Sequence, residues 1–151
     1  MRLTTYTDYS LRLLIYLAVQ GDQLATIPEV AEGYGISRHH LVKVAHQLGV
    51  KGYIETTRGK RGGLRLAKPA REIVVGDVVR SMEPDLGLVP CLQTDGPSCR
   101  ITPSCRLKGA MQEAQRAFLA ALDEYTLADL AAKKKPLREL LQITDALGRP
   151  L

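Results

Sequence analysis

The sequence predicts a mainly α-helical fold with one small β-hairpin. Apolar residues recur at helical spacing in most segments of the 151-residue chain. Two short helical segments flank the turn Gly33-Tyr34-Gly35, and β-prone segments at 53–57 and 64–66 enclose a glycine-rich tip. A helix-turn-helix that is followed directly by a hairpin is typical of a winged helix-turn-helix fold.

Residues typical of helix caps and helix ends divide the first part of the chain into three predicted helices. The first is expected at about 7–20, where a glycine follows the apolar stripe. The second opens with a capping box formed by Thr26 and Glu29. Ser37 is placed to cap the third, which is expected to run to about Leu48.

The positive charge is concentrated around the third helix and the hairpin. Nine of the 21 lysines and arginines lie between residues 37 and 71, where Glu55 is the only acid. Such a block indicates a polyanionic partner, although a solvated basic surface would have the same composition. The order of residues in 58–63 does not match the Walker pattern, which disfavours a nucleotide-phosphate loop.

Together, the helix-turn-helix and the basic hairpin predict binding to double-stranded DNA. A recognition helix presents its N-terminal residues to base edges in the major groove, and the cations of a wing reach phosphates or the minor groove. The candidate DNA contacts are Ser37, Arg38, His39, His40 and Lys43 in the helix, and Arg58, Lys60, Arg61 and Gly62 in the wing.

A cysteine cluster follows a short helix that is predicted to begin near Val75. Cys91, Cys99 and Cys105 are the only cysteines, they have the spacing C-x7-C-x5-C, and the segment that holds them is rich in proline and glycine. Three thiols cannot all pair with one another, so the cluster indicates a metal site or a redox thiol rather than a disulfide framework. Zinc is an alternative, although structural zinc cysteines are usually about two to four residues apart. A metal-free thiol switch is a third reading.

The same residues bear on location and on enzymatic activity. Asp8 and Arg12 interrupt the first apolar run, so neither an export signal nor a membrane span is expected there. We therefore expect a cytoplasmic protein, and in that compartment thiols stay reduced and available to bind metal. The sequence has no recognisable nucleophile–base pair or phosphate-binding motif, and we expect no enzyme.

A long final helix is predicted to start near Pro103, with Thr102 as its N-cap, and to reach about Tyr125. Apolar residues recur in it at spacings of four and three, which is a heptad seam. The apolar residues of this seam could pack against the rest of their own chain, but we expect them to pack against a second copy and form a homodimer. The expected interface residues are Leu107, Met111, Ala114, Phe118, Ala121 and Tyr125.

These patterns divide the chain into four parts. Residues 1–82 are expected to form the winged helix-turn-helix DNA-binding domain, and 83–105 the cysteine loop. The dimerisation helix is expected at 103–130, and a C-terminal tail at 131–151, mobile or loosely docked, completes the chain.

Six segments of the chain resemble the IscR/NsrR family of dimeric winged-helix regulators. Two of them, 101–108 around Cys105 and 125–130 ending at Leu130, are more specific to the nitric-oxide-sensing members. The other four mark the family broadly; they are Leu3 to Tyr9, Gly35 to Arg38, Arg58 to Gly63 and Gly76 to Arg80.

The resemblance implies a transcriptional repressor that releases an inverted-repeat operator when nitric oxide nitrosylates its iron–sulfur cluster. It implies that Cys91, Cys99 and Cys105 hold this cluster, with a 4Fe–4S form favoured over a 2Fe–2S form. Thiolates are the usual ligands, and normally there are four. The IscR pattern adds a histidine after the third cysteine, which this chain lacks. The nitric-oxide-sensing pattern instead implies the carboxylate of Asp8, donated by the other subunit.

Three readings remain beside this one. Asp8 lies four residues before Arg12, so it could be the partner of that arginine on the helix surface. An IscR-like sensor of iron–sulfur cluster supply is the alternative regulator. A zinc or thiol-redox binding module is the alternative from another class.

Overall fold

The structure, a computed structural model, describes residues 2–59 and 62–144. It is mostly helical, with 59% helix and one two-stranded hairpin, which confirms the expected fold class. The elements are α1 (Thr5–Gln20), α2 (Ile27–Tyr34), α3 (Arg38–Val50), β1 (Ile54–Thr57), β2 (Gly63–Leu66), α4 (Val75–Met82), α5 (Arg106–Asp123), α6 (Leu127–Leu130) and α7 (Lys134–Leu140). Within the described ranges, no helix is both long enough and apolar enough to span a bilayer.

Helix α1 lies at the centre of the core. Thr4 caps it by accepting a hydrogen bond from the Thr7 amide, so the helix begins two residues before the predicted start. It contacts α3, α4, α6, α7 and strand β2. Leu13, Leu14 and Val19 have no exposed surface, because neighbours cover this helix on several sides.

The helix-turn-helix follows its capping signals closely. Thr26 and Glu29 form the predicted capping box, and Gly35 ends α2 with a φ of 64°, a conformation that glycine adopts without strain. Ser37 precedes α3, but its side chain makes no capping hydrogen bond. The apolar stripe of α3 is buried as expected, with Leu41, Val44, Ala45 and Leu48 in the core.

The wing is a regular antiparallel hairpin. Ile54 pairs with Leu66, and Thr57 pairs with Gly63 next to the tip. Gly62 is required at the tip, because a Cβ atom there would lie 2.2 Å from the Thr57 carbonyl oxygen. Strand β2 is joined to the body by two backbone hydrogen bonds between Ala25 and Leu64, of 3.0 and 2.7 Å.

Helix α5 begins later and ends earlier than the sequence predicted. Residues Thr102–Ser104 form a separate 3-10 turn, and α5 starts at Arg106 with Cys105 as its N-cap. The predicted start near Pro103 with Thr102 as cap is therefore wrong. The helix ends at Asp123, and the next residue, Glu124, is its C-cap.

The C-terminal end of α5 is fixed to α4. Arg80 donates to both carboxylate oxygens of Asp123, at 2.8 and 2.5 Å, and also contacts Asp77 at 3.2 Å. A Cβ atom at Gly76 would lie 1.9 Å from Asp123 Oδ1, so the small residue permits this close approach. The hydrogen bond from Arg80 lowers the pKa of Asp123 below its usual value.

The expectation of a mobile or loosely docked tail is wrong for residues 131–144. Ala131, Leu141 and Ile143 are buried in the core. Arg138 Nε donates to the carbonyl oxygen of Val19 at 3.1 Å, which satisfies an acceptor in the last turn of α1. The apolar run was visible in the sequence, but its docking site on α1 was not. Residues 145–151 of the predicted tail lie outside the described residues.

Replacing Ile143 by alanine tests whether this docking stabilises the fold. Ile143 is 2% exposed, and emptying such a site should lower the free energy of unfolding by about 2–5 kcal/mol. Urea denaturation measures the change. Leu140→Ala is the matched control, because Leu140 is 77% exposed and should have little effect. Equal stabilities for both variants would contradict the docked segment.

Replacing Asp123 by asparagine tests the junction between α4 and α5. The pKa of Asp123 is lowered in the folded protein. Its contribution to stability is therefore complete above the ordinary carboxyl pKa and is lost as the pH falls through the lowered value. Asp123→Asn should reduce Tm at neutral pH, and the difference from wild type should shrink in strong acid. A Tm difference that does not change with pH would show that the ion pair is not its cause.

Candidate DNA-binding surface and cysteine loop

Helix α3 presents a polar, basic face away from the core. Arg38, His39, His40 and Lys43 are all exposed, as is Ser37 just before the helix. The opposite side carries the buried stripe, so the position of α3 is determined by its packing while its outer face is free for a partner. The structure thus places the predicted helix candidates on one accessible surface.

Sequence reasoning missed an apolar residue on the same surface. Val42 is 56% exposed, three residues after His39 and four before His46, and residues at those spacings are neighbours on a helix. A branched apolar side chain on such a face can contact the methyl group of thymine. A projection of the helix around its buried stripe would have identified Val42 from the sequence.

The first turn of α1 holds α3 in place. Tyr6 Oη donates to the Lys43 carbonyl oxygen at 2.9 Å, and the ring centroids of Tyr9 and His40 are 6.2 Å apart. Burial raises the pKa of Tyr6, so its hydroxyl keeps the proton that it donates. The orientation of the recognition helix therefore depends on the position of the first turns of α1.

Among the described residues of the wing, one cation is exposed near the tip and another is paired within the hairpin. Arg58 is exposed next to the tip, and Gly62 lies at the tip itself. Arg65 instead pairs across the strands with Glu55, through hydrogen bonds of 3.0 and 2.9 Å to one carboxylate oxygen. Lys60 and Arg61, which were predicted DNA contacts, lie outside the described residues.

The three cysteines are free thiols in a segment of short turns. Cys91 is half-buried in the 3-10 turn Pro90–Leu92, which contacts α5. Cys99 is exposed, and its carbonyl oxygen accepts from the Thr102 amide at 3.0 Å. Cys105 caps α5, where its Sγ accepts from the Lys108 amide at 3.4 Å.

These thiols have the donor chemistry of an iron–sulfur site, but the monomer does not gather them. Among the described residues, no three His, Cys, Asp or Glu side chains form a group that could hold a metal ion. The donor set fits, since three thiolates are soft ligands and the Lys108 amide already donates to one sulfur. Binding would require the turns that carry Cys91 and Cys99 to draw their thiols towards Cys105.

Within the described residues, Asp8 forms no metal-binding group with the cysteines of its own chain. Its Oδ2 lies 2.9 Å from Arg12 Nε, and both side chains are nearly half exposed. The Arg12 guanidinium lies 5.8 Å from the centre of the Tyr34 ring, and burial raises the pKa of Tyr34 to about 12, so the ring stays neutral. The Asp8 carboxylate therefore keeps solvent-accessible surface beside its ion pair.

A contact that the sequence did not predict joins α1 to the cysteine loop. Glu83, which follows α4 and opens the loop, accepts hydrogen bonds from the Thr4 amide at 3.2 Å and from Thr4 Oγ1 at 3.1 Å. Its carboxylate also accepts from Thr7 Oγ1. These residues are more than 70 positions apart in the chain, and no local pattern predicts such pairing.

Helix α5 leaves most of its predicted seam uncovered. Leu107 is 58% exposed, and Ala114 and Ala121 are exposed as well. Tyr125 is 52% exposed, but it lies beyond the end of the helix at Asp123. Met111 and Phe118 are half-buried, because they line a pocket of about 340 Å³. That pocket is also lined by Leu3, Leu86 and Leu88. The helix therefore presents a larger apolar face than its own chain covers.

Comparisons with known proteins agree with this architecture. The model of the Rrf2 family, described as "Iron-dependent Transcriptional regulator", matches residues 3–133. The HTH-type transcriptional regulators NsrR of Shouchella clausii (strain KSM-K16) and Geobacillus kaustophilus (strain HTA426) are each 50% identical over 143 residues. The alignments cover 94% of this chain and 96% and 97% of those proteins.

Solved structures show the same fold. Staphylococcus aureus CymR superimposes with a TM-score of 0.68 at 29% identity, covering 85% of this chain and 96% of that one. T. potens IscR superimposes with a TM-score of 0.70, covering 97% and 95%, and at 23% identity it supports the fold alone. These relatives are regulators rather than enzymes. The chain is a member of the Rrf2 family of transcriptional regulators.

Proposed function

We propose that the protein is a homodimeric repressor whose cysteine loop carries a nitric-oxide-reactive iron–sulfur cluster that controls operator binding. The observation that carries the proposal is the position of α1. Its first turn contacts both the recognition helix, through Tyr6, and the start of the cysteine loop, through Glu83. The first turn of α1 therefore connects the loop that holds three free thiols with the helix that carries the basic face.

Operator binding would use α3 and the wing. The side chains of Arg38 and His39 are exposed at the start of α3 and would contact base edges, while Arg58 would contact phosphates. Lys60 and Arg61 are proposed as further phosphate contacts on sequence grounds. In a two-fold dimer, two such helices read an inverted repeat whose half-site centres are about 10–11 bp apart.

The dimer would form along α5. The uncovered face of α5 that contains Leu107, Ala114 and Ala121 is suited to pack against its copy, since paired helices bury heptad positions. Tyr125, just beyond the end of α5, is proposed as a further contact on sequence grounds. Met111 and Phe118 would extend this seam from the edge of their pocket. The Arg80–Asp123 ion pair would then transmit the position of the dimer helix to the DNA-binding domain.

The proposed cluster ligands are Cys91, Cys99 and Cys105, with Asp8 of the partner subunit as the fourth. When bound, the cluster, which we expect to be 4Fe–4S, supplies iron that reacts with nitric oxide. Carboxylate is a harder ligand than thiolate, so Asp8 would be among the first groups released. Released Asp8 can pair with Arg12 as it does here, and the two recognition helices would lose their tether.

Wing contacts predict a specific salt dependence of operator binding. Neutralising a phosphate contact lowers the slope of log K against log salt by about one. Arg58→Ala should do so without changing operator preference. Arg65→Ala is the matched control and should change the slope less, because Arg65 is paired with Glu55. Equal slopes for wild type and Arg58→Ala would remove Arg58 from the interface.

Metal analysis tests the cluster itself. Protein purified without oxygen should be brown and should contain iron and acid-labile sulfide in comparable amounts. Cys91→Ala, Cys99→Ala and Cys105→Ala should each lose the colour, because each removes one of three thiolate ligands. Stoichiometric zinc without sulfide would instead support a zinc module, and metal-free protein that binds its operator normally would support a thiol switch.

Asp8→Ala tests the ligand from the partner subunit. We expect this variant to keep some cluster on three cysteines, with altered absorption, and to bind the operator weakly even without nitric oxide. Arg12→Ala is the control, because it breaks the same ion pair but keeps the carboxylate. A wild-type spectrum and wild-type repression in Asp8→Ala would show that Asp8 serves only its ion pair with Arg12.

A further inference from the structure

We infer that Glu83 is a positioning residue that transmits the state of the cysteine loop to the recognition helix of the same protomer. The inference rests on the proposed function, because it assigns a route for the signal. It is distinct from the Asp8 tether, which would connect two subunits. Its basis is a set of contacts around the first turn of α1.

Glu83 belongs to the DNA-binding domain and to the cysteine loop at once. Its amide donates to the Val79 carbonyl oxygen at 2.9 Å, which ends α4. Its backbone then leads directly into the loop, so a change in the loop acts on Glu83 through the chain itself. The side chain is half-buried, and its hydrogen bonds to the first turn of α1 restrict its position.

The carboxylate holds the N-terminus of α1 by several hydrogen bonds. Both of its oxygens lie 3.2 Å from the Thr4 amide, and one also accepts from Thr4 Oγ1 at 3.1 Å. The Thr7 hydroxyl donates to the same oxygen, and Thr7 has no exposed surface. A negative charge at a helix N-terminus is favourable, and hydrogen bonds to an ionised acceptor are stronger than neutral ones.

The same turn holds the recognition helix. Tyr6 lies between Thr4 and Thr7, and its hydroxyl donates to the Lys43 carbonyl oxygen at 2.9 Å. Tyr9, one turn after Tyr6, contacts His40. Both Lys43 and His40 belong to the proposed DNA surface. A shift of Glu83 would therefore move this turn, and the turn would move the residues that face DNA.

An ordinary helix cap would use the same hydrogen bonds but would have a different consequence. A cap stabilises the fold equally in both cluster states, so its loss would weaken operator binding by one common factor. A positioning residue contributes to the difference between the states, which is a coupling between two sites. The ratio of operator affinities in the cluster-loaded and cluster-free protein separates the two roles.

The experiment compares full-length wild type with Glu83→Ala, Glu83→Gln and Glu72→Ala. Operator affinity is measured for each in the cluster-loaded and cluster-free forms at one salt concentration. Glu83→Ala should reduce the ratio of the two affinities by about fivefold or more. Glu83→Gln keeps one acceptor oxygen, so its affinity ratio should lie between those of wild type and Glu83→Ala. Glu72→Ala removes an exposed carboxylate whose ion-pair partner is Arg71, and should leave the ratio unchanged.

A second readout does not require a cluster. Amide hydrogen exchange in the cluster-free protein should become faster in Glu83→Ala at the start of α1, where the Asp8 amide donates to Thr4, and also in the first turns of α3. Thr7→Val, which keeps the buried volume and removes the hydroxyl, should show the same pattern if Glu83→Ala folds poorly.

Two outcomes would overturn the inference. One is an equal loss of operator affinity in both cluster states, which would identify Glu83 as a helix cap. The other is faster exchange in α1 with no change in α3, which would break the proposed route whether or not a cluster binds. A wild-type protein with equal operator affinity in both states would overturn the proposed function instead, and the exchange data would still decide the role of Glu83.

Discussion

The placement of α1 is the constraint on which the other elements depend. This helix packs against the recognition helix, the wing strand β2, α4, α6 and α7. Leu13, Leu14, Leu17 and Val19 are almost completely buried, so α1 cannot shift along its axis without disturbing the core. Both ends are fixed by side chains from distant parts of the sequence: Glu83 holds the first turn and Arg138 holds the last.

In the proposed sensor, this arrangement connects the cysteine loop to the DNA-binding domain through one helix. The loop that carries the thiols is made of short turns, and its root is hydrogen-bonded to the most constrained helix of the domain. A ligand that draws the thiols together would change the loop far more than the core. The first turn of α1, with Glu83 on one side and Lys43 on the other, is where that change would reach the DNA surface.

Local patterns predicted most of the winged helix. The Thr26–Glu29 capping box, the glycine turn and the buried stripe of α3 depend on neighbours within a few residues, and all three are confirmed. The sequence also placed the helix candidates for DNA binding on one exposed face. The assignment of these residues, and of the thiols as ligands, remains a proposal.

The features that the sequence did not predict depend on contacts between distant residues. Glu83 reaches α1 across more than 70 positions, and Ile143 is buried only because the fold provides a site for it. The start of α5 was misplaced for a local reason. Thr102 and Pro103 have the residue types of a helix start, but they form a 3-10 turn, and the Cys105 sulfur caps the helix instead.

The central claim is that the state of the cysteine loop sets the affinity for DNA. Titrating anaerobic, cluster-loaded protein with nitric oxide while monitoring operator binding by fluorescence anisotropy tests it most directly, at one salt concentration because affinity depends strongly on salt. The account predicts that operator affinity falls in step with the loss of cluster absorbance. Operator affinity that stays constant after the cluster absorbance has disappeared would contradict it.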